Sequence, residues 1–177
     1  MVAQATTNNL TLVLGGAASG KSLFAEKLVV QTGRDRVYLA TSQAFDDEMR
    51  AKIARHIAQR GPDWTTIEQP IDVAAALACV TDTQAVLLDC ATLWLTNVML
   101  AEMDIEVETR KLLSAVADCR FPVVIVSNEI GLGLVPDNAL SRQFREAQGR
   151  LNQRIAEIAT TVVFVAAGLP MVLKGQL

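Results

Sequence analysis

Residues 15–22 read Gly15-Gly16-Ala17-Ala18-Ser19-Gly20-Lys21-Ser22 and fit the pattern G-x-x-x-x-G-K-[ST] at every fixed position. In such a loop successive backbone N–H groups turn inward to form a concave nest for phosphate oxygens. Glycines hold the fixed places because a β-carbon obstructs those conformations. Lys21 then reaches the β- and γ-phosphates, and the Ser22 hydroxyl ligates Mg²⁺. The flanks agree. Leu10 to Leu14 (LTLVL) predicts a short buried strand, and Lys21 to Thr32 (KSLFAEKLVVQT) carries Leu23, Phe24, Leu28 and Val29 at helical spacing. A strand that feeds the loop and a helix that leaves it predict a nucleotide phosphate site.

The 177 residues around this loop are enough for one full core and too few for two ordinary ones, so a single domain over residues 1–177 is expected. Hydrophobic residues make up 51% and aromatics 5%, so the apolar content is mostly aliphatic, as parallel strands covered on both faces require. The expected class is α/β: a P-loop nucleotide-binding fold with a mostly parallel central sheet flanked by helices. The net charge is -3 and the basic residues are scattered, which argues against nucleic acid and for a small charged ligand. Cys79, Cys90 and Cys119 form no C-x-x-C pair, which argues against structural zinc or a disulfide framework and fits reduced thiols. Residues 1–9 lack a basic start and an apolar core, and no apolar run approaches the roughly 20 residues needed to span a bilayer. A cytoplasmic protein without membrane insertion is expected.

Further along, Gly33 to Arg36 predicts a polar turn and Val37 to Ala40 a second buried strand ending at Thr41 and Ser42. Ligands in such sheets collect at strand C-terminal ends. Asp46 to Gln59 predicts a helix with acids in its first turn, an apolar stripe of Met49, Ile53 and Ile57, and Gly61-Pro62 as its stop. A strand over Trp64 to Glu68, an Ala-rich helix over Asp72 to Val80 and a third buried strand over Ala85 to Asp89 follow. Helices are then expected from Thr92 to about Met103 and from Glu106 to Cys119. The pattern ends with a strand over Val123 to Ser127, a loop over Asn128 to Asn138, a helix over Ala139 to Thr160 and a strand over Val162 to Ala166. The MVLK stretch after Gly168-Leu169-Pro170 can add one more strand at an edge. Strands alternating with helices imply right-handed crossovers.

Two side chains stand out for chemistry. Asp89 ends an apolar strand downstream of the loop, where folds of this class place a carboxylate for Mg²⁺; a helix N-cap or a solvated strand end fits the same position. His56 is the sole histidine. At about 100° per residue it lies roughly 20° from Met49, at the border of the apolar stripe, where a packed or half-solvated ring and a reactive one are both compatible with the pattern. Lys52, Arg55 and Arg60 surround it with cations that hold phosphates and keep the imidazole neutral, and a neutral ring nitrogen is a nucleophile. Asn128 is followed by Glu129-Ile130 rather than by an Asn-Lys-x-Asp motif, which weighs against a signalling GTPase. The helix after Asp89 carries Trp94, Leu95, Val98, Met99 and Leu100, more apolar surface than one face needs, so part of it is expected at a subunit interface unless it is buried on both sides within one chain.

With these residues the chain resembles the bifunctional adenosylcobinamide kinase / adenosylcobinamide-phosphate guanylyltransferase family, from about Leu12 to Lys174. The resemblance rests on GGAASGKS, on YLATSQAFDDEM from Tyr38 to Met49, on His56 with Arg60, Trp64 and Glu68, on LLDC from Leu87 to Cys90, and on VSNEIGLGLVP from Val126 to Pro136. Arg142, Phe144, Arg145, Gly149, Asn152 and Gln153 extend it through the long helix. It implies that His56 takes GMP from GTP as the nucleophile. It also implies that the loop, Ala40, Thr41, Ser42, Ile57, Ala58, Gln59, Arg60, Glu68 and Asp89 line the GTP site. The implied substrates are GTP and ATP with adenosylcobinamide and its phosphate, the implied metal is Mg²⁺, and the implied assembly is a homotrimer. The chain departs from the family pattern at Ala18, where Arg is usual, at Asp89, where Glu is usual, and at Arg60-Gly61-Pro62, where Arg and Pro are usually adjacent. A monofunctional small-molecule kinase and a nucleotide-binding regulatory protein use the same loop without a histidine nucleophile.

Overall fold

In the computed structural model, which describes residues 9–43 and 60–177, β1 (Leu10–Gly15) runs through the glycine-rich loop into α1 (Lys21–Gln31), followed by β2 (Asp35–Ala40) and β3 (Trp64–Glu68). Then come α2 (Val73–Leu77), β4 (Gln84–Asp89), α3 (Ala91–Leu100), α4 (Ile105–Ala117) and β5 (Val123–Asn128). The chain closes with α5 (Ala139–Ile158), β6 (Thr161–Ala166) and β7 (Leu169–Lys174). The helix expected over Asp46 to Gln59, with Met49, Ile53 and Ile57, lies outside the described residues.

The strands form one sheet in the order β3-β2-β4-β5-β1-β6-β7, parallel throughout except for the antiparallel β6/β7 pair. The α/β expectation with a mostly parallel sheet therefore holds. Alternate residues of each strand point to opposite faces. Leu10, Leu12, Leu39, Val86, Leu88 and Ile125 pack in a cluster with residues of α2, α3, α4 and α5. Val13, Tyr38, Ala40, Leu87, Val124 and Val126 pack in a second cluster with Ala25 and Val29 of α1. Burial on both sides is why these strands read as unbroken apolar runs.

The helix boundaries follow local hydrogen bonds that periodicity does not reveal. The Asp72, Asp104 and Asn138 side chains accept from the backbone N–H groups of Ala75, of Glu106 and Val107, and of Ser141, and so open α2, α4 and α5. The Ala-rich helix expected over Asp72 to Val80 is confined to Val73–Leu77. The helix expected to run to Met103 ends at Leu100, because Glu102 turns to φ 53° and Met103 N–H closes on the Val98 carbonyl at 3.1 Å. Within α3, Trp94, Leu95 and Val98 are buried inside the chain, which accounts for most of its apolar surface. Met99 is half-buried and Leu100 exposed.

The tail strand is real and longer than MVLK: it starts at Leu169 and includes Pro170. Proline is tolerated there because β7 is an edge strand. Among the described residues no helix is long and apolar enough to cross a membrane.

Candidate nucleotide site

Gly15 ends β1, and its backbone is so closely flanked that a β-carbon would lie 2.7 Å from the Val165 carbonyl oxygen. Gly20 stands at the N-cap of α1 with φ 90°, a left-handed conformation, and a β-carbon there would come within 3.1 Å of Gly168 Cα. Gly168, in the β6–β7 turn, donates its N–H to the Ser19 carbonyl at 2.8 Å and braces the loop from outside. Lys21 Nζ donates to the Gly16 carbonyl at 2.9 Å. Among the described residues no side chain caps α1, so its first N–H groups are directed into the loop, where an anion is favoured. The Ser19 hydroxyl oxygen is buried there with no hydrogen-bond partner among the described residues. The loop residues Gly15, Gly16, Ala17, Ala18, Ser19, Gly20, Lys21 and Ser22 thus sit together at the C-terminal edge of the sheet, with Ala18 at φ 53°.

Three further predicted residues line up on that edge. Ala40 is in register with Glu68 on one side and with Asp89 on the other, so β3, β2 and β4 end in one row. Asp89 is separated from β1 by β5 alone, two strand spacings or about 10 Å from the base of the loop. It does not cap the following helix: the N-cap is Cys90, without a side-chain cap. Instead its Oδ2 accepts a hydrogen bond of 2.7 Å from the Tyr38 hydroxyl. Burial, together with the Asp89 charge and this hydrogen bond, pushes the Tyr38 phenol far up, so it remains a donor at any working pH. The Arg60 guanidinium lies over the Tyr38 ring, 3.1 Å from its centre, with Nη1 buried and without a hydrogen-bond partner among the described residues. Trp64 meets the same ring edge-on at 6.3 Å. Glu26 of α1 closes the group; burial raises its carboxyl, the Arg60 charge opposes the rise and the Asp89 charge adds to it. A cleft of about 300 Å³ between α1, β2 and β3 has Glu26, Arg36, Arg60 and Trp64 in its wall.

Thr41 is fully buried and locks the turn after β2 onto the end of β4. Its Oγ1 accepts from Cys90 N–H at 2.9 Å and donates to the Cys90 carbonyl at 2.8 Å, while Asn97 Nδ2 donates to the Thr41 carbonyl at 2.8 Å. Ser42 follows, half-buried. On the other side of the loop, Glu129 N–H donates to the Gly15 carbonyl at 3.1 Å, and Asn128 N–H to the Thr92 hydroxyl at 2.8 Å. Asn152 Nδ2 holds the Asn128 carbonyl at 3.1 Å from within a buried network of Ser127, Gln148 and Asn152. Arg145 donates to the Gly131 and Gly133 carbonyls and Arg142 to those of Pro136 and Asp137, so two of the resemblance residues serve to fix the loop after β5.

The structure thus gathers the loop, the turn Ala40 to Ser42, Arg60, Glu68 and Asp89 along one edge. His56, Ile57, Ala58 and Gln59, with Lys52 and Arg55, lie outside the described residues. Sequence reasoning missed the roles of Tyr38, Glu26 and Gly168. Tyr38 had a usable signal: the only tyrosine of the chain sits in a buried strand, and a buried phenol needs a hydrogen-bond partner.

A phosphate loop at the carboxyl edge of a parallel sheet, with an acidic residue ending a nearby strand, marks the P-loop nucleotide-binding proteins, and fold and site together put the chain in that class. The fold is similar to the crystal structure of flagellar accessory protein FlaH from Methanocaldococcus jannaschii, at a TM-score of 0.52 and 13% identity over 96% of this chain and 79% of that one. Sequence comparison is more specific. Residues 11–173 match the family described as cobinamide kinase / cobinamide phosphate guanyltransferase. The chain is 44% identical over 168 residues to the bifunctional adenosylcobalamin biosynthesis protein CobP of Pseudomonas aeruginosa, covering 93% of this chain and 97% of that protein. To CobU of Escherichia coli, of the same description, it is 37% identical over 182 residues, covering 93% and 99%. The chain belongs to this family of kinase/guanylyltransferase enzymes of adenosylcobalamin biosynthesis.

Proposed function

We propose that the two transfers share the one phosphate loop within a single domain spanning residues 1–177. In the first, the γ-phosphoryl group of ATP or GTP passes to the hydroxyl on the aminopropanol arm of adenosylcobinamide. In the second, a ring nitrogen of His56 attacks the α-phosphorus of GTP; an N–P bond forms as the bond to pyrophosphate breaks. An oxygen of adenosylcobinamide phosphate then attacks the same phosphorus, frees the histidine and yields adenosylcobinamide-GDP. A covalent intermediate divides one hard displacement into two easier ones.

The observation that carries this reading is the loop itself, a closed nest headed by α1 and braced by Gly168, in a chain that aligns with bifunctional relatives over nearly its whole length. Lys21 and the loop N–H groups neutralise the leaving pyrophosphate in the second step and hold the γ-phosphoryl in the first. The hydroxyl of Ser22 and the carboxylate of Asp89 are the residues that would hold Mg²⁺. The donor set suits it: oxygen ligands, few in number, with Asp89 Oδ2 taken by Tyr38 and Oδ1 without a hydrogen bond among the described residues. When bound, Mg²⁺ supplies charge neutralisation at the phosphates. Ala40, Thr41, Ser42, Ile57, Ala58, Gln59, Arg60 and Glu68 complete the nucleotide contacts in this reading. A cytoplasmic homotrimer belongs to it as well, with Leu100 as apolar surface left over from burial within the chain. Sedimentation reads that part: a monomer at micromolar concentration removes it.

The test is incubation with α-labelled and, separately, γ-labelled GTP in the presence of adenosylcobinamide, followed by denaturing electrophoresis. The expected result is α-label on the protein, stable to base and lost in acid, and γ-label in the small product. His56→Ala should lose the protein-bound label and keep phosphorylation of adenosylcobinamide, because γ-transfer to a hydroxyl needs positioning and charge but no enzyme nucleophile. Label retained by His56→Ala, or mapped to Lys52, overturns the histidine step.

A further inference from the structure

We infer that Tyr38 is a positioning residue for the nucleotide site, holding the Asp89 carboxylate by Oδ2 so that Oδ1 would be available to the Mg²⁺ that neutralises the phosphates. The inference rests on the reading of Asp89 given above and extends it to a residue that composition and motif leave unassigned. A carboxylate at the end of a strand turns freely about its χ angles unless something outside its own strand fixes it. Here the fixing contact is 2.7 Å long and comes from the neighbouring strand, between residues 51 apart in sequence. Tyr38 and Asp89 lie on the sheet face that α1 covers, since Tyr38 and Ala40 pack there with Leu87, two residues before Asp89. Tyr38 is buried, 8% exposed as a residue.

The ring is held in turn. Arg60 covers one face and Trp64 meets its edge. Arg60 follows His56 by four residues in sequence, so the aromatic ring links the carboxylate of β4 to the chain segment that carries the proposed nucleophile. Groups charged in this neighbourhood are Glu26, Arg60, Asp89 and, beside Cys90, Lys21. A neutral donor orients Asp89 there without adding a further charge to the group. An arginine or lysine in its place would form an ion pair and compete with the metal. Partners of this kind around ligating carboxylates are worth about 10- to 100-fold in metal affinity.

Tyr38→Phe keeps the ring, its stacking and its volume and removes the hydroxyl alone. The experiment is a calorimetric titration of GTP at a series of Mg²⁺ concentrations, with melting temperatures alongside, for the full-length wild type, Tyr38→Phe, Asp89→Asn and the double variant. The expected result for Tyr38→Phe is a rise of about 10- to 100-fold in the Mg²⁺ concentration that gives half-maximal tightening of GTP binding. GTP binding without Mg²⁺ should be unchanged. Asp89→Asn should show the larger rise, and the double variant should be no worse than Asp89→Asn, because the hydroxyl acts through the carboxylate. If Asp89→Asn leaves the Mg²⁺ dependence as in the wild type, the reading of Asp89 fails and Tyr38 falls with it. If Asp89→Asn shifts the dependence and Tyr38→Phe does not, or if the two shifts multiply in the double variant, the carboxylate reading stands and the role given to Tyr38 is wrong. A fall in melting temperature with unchanged Mg²⁺ dependence makes the contact structural only and likewise overturns it.

Discussion

Two adjacent glycines open the phosphate loop, and the structure predicts opposite outcomes for the same substitution. An alanine β-carbon at Gly15 would lie 2.4 Å from Ser19 Oγ and 2.7 Å from the carbonyl oxygen of Val165; at Gly16 it would meet nothing within 4 Å among the described residues. The Ser19 side chain can rotate away, but Val165 belongs to β6 and is in register with Gly15. To bring that contact to 3.4 Å, the lower limit of ordinary van der Waals distance, β1 and β6 must part by 3.4 − 2.7 = 0.7 Å at the foot of the loop. Overpacking of that kind costs about 1–3 kcal/mol. In a chain of this size each kcal/mol is worth roughly 2–4 °C, so Gly15→Ala should melt about 2–12 °C below the wild type. Gly16→Ala should melt within about a degree of it, since no atom has to move. The same 0.7 Å is passed to the loop, and turnover in Gly15→Ala should fall about tenfold or more, because misplacement by an ångström costs up to about a hundredfold. Differential scanning calorimetry of the two variants, with and without GTP, reads the first quantity, and steady-state phosphorylation reads the second. Equal melting temperatures for Gly15→Ala and the wild type, or equal losses in the two variants, would refute the reasoning.

The Glu26 carboxyl is raised above its ordinary 4.5 in the folded protein, chiefly by burial. Stability from this group is therefore full below the unfolded-state value and is lost as the pH rises through the folded-state value, so Glu26→Gln should raise the melting temperature at neutral pH and flatten its fall from acid to neutral. A pH series of melting curves checks this, and a neutral melting temperature below the wild type would mean that attraction to Arg60 outweighs burial. Burial and the Asp89 charge push the Cys90 thiol to about 11, and burial with the Asp118 charge pushes Cys119 to about 11, whereas Cys79 is exposed. At pH 8 an aromatic disulfide reagent should modify one thiol quickly, whereas the raised Cys90 and Cys119 thiols, with thiolate on the order of a hundredfold below that of an unperturbed thiol, should react slowly, and mass mapping should place the fast site at the exposed Cys79. Two fast sites would contradict the burial of the other pair.

The loop and the sheet were legible because both write local patterns. GGAASGKS is contiguous, and the strands LTLVL, AVLLD and VVIVS are apolar at four of their five positions because helices cover both sheet faces. Helix starts were legible where the sequence marks them, by the phosphate loop ahead of Lys21 and by the cap at Asn138. The early end of α3 depends on Glu102 adopting a left-handed φ, which a glutamate does not advertise. What the sequence could not show was pairing across distance. Periodicity puts Tyr38 on a face of β2 and Asp89 at the end of β4, but the 2.7 Å contact needs the two strands to be neighbours. The strand order that makes them so is a property of the whole sheet. The same holds for Gly168, which follows Ser19 by nearly the whole chain yet hydrogen-bonds to it.

Strand order also divides the labour among the candidate residues. β1 leads, through α1, to β2, yet β4 and β5 come to lie between them in the sheet. At about 4.8 Å per step, Asp89 ends its strand some 10 Å from the base of the loop, Ala40 about 14 Å and Glu68 about 19 Å. A phosphate seated in the loop is within reach of an Asp89-bound cation but not of Glu68. Whatever Glu68 contacts therefore belongs to the end of the bound molecules remote from the loop. Residues scattered along the sequence are arranged as a line, with charge neutralisation at Lys21 and Ser22, an oriented carboxylate at Asp89, and Glu68 at the far end. Removing the Glu68 carboxylate should therefore leave the phosphate end of the site intact, while removing Lys21 should not.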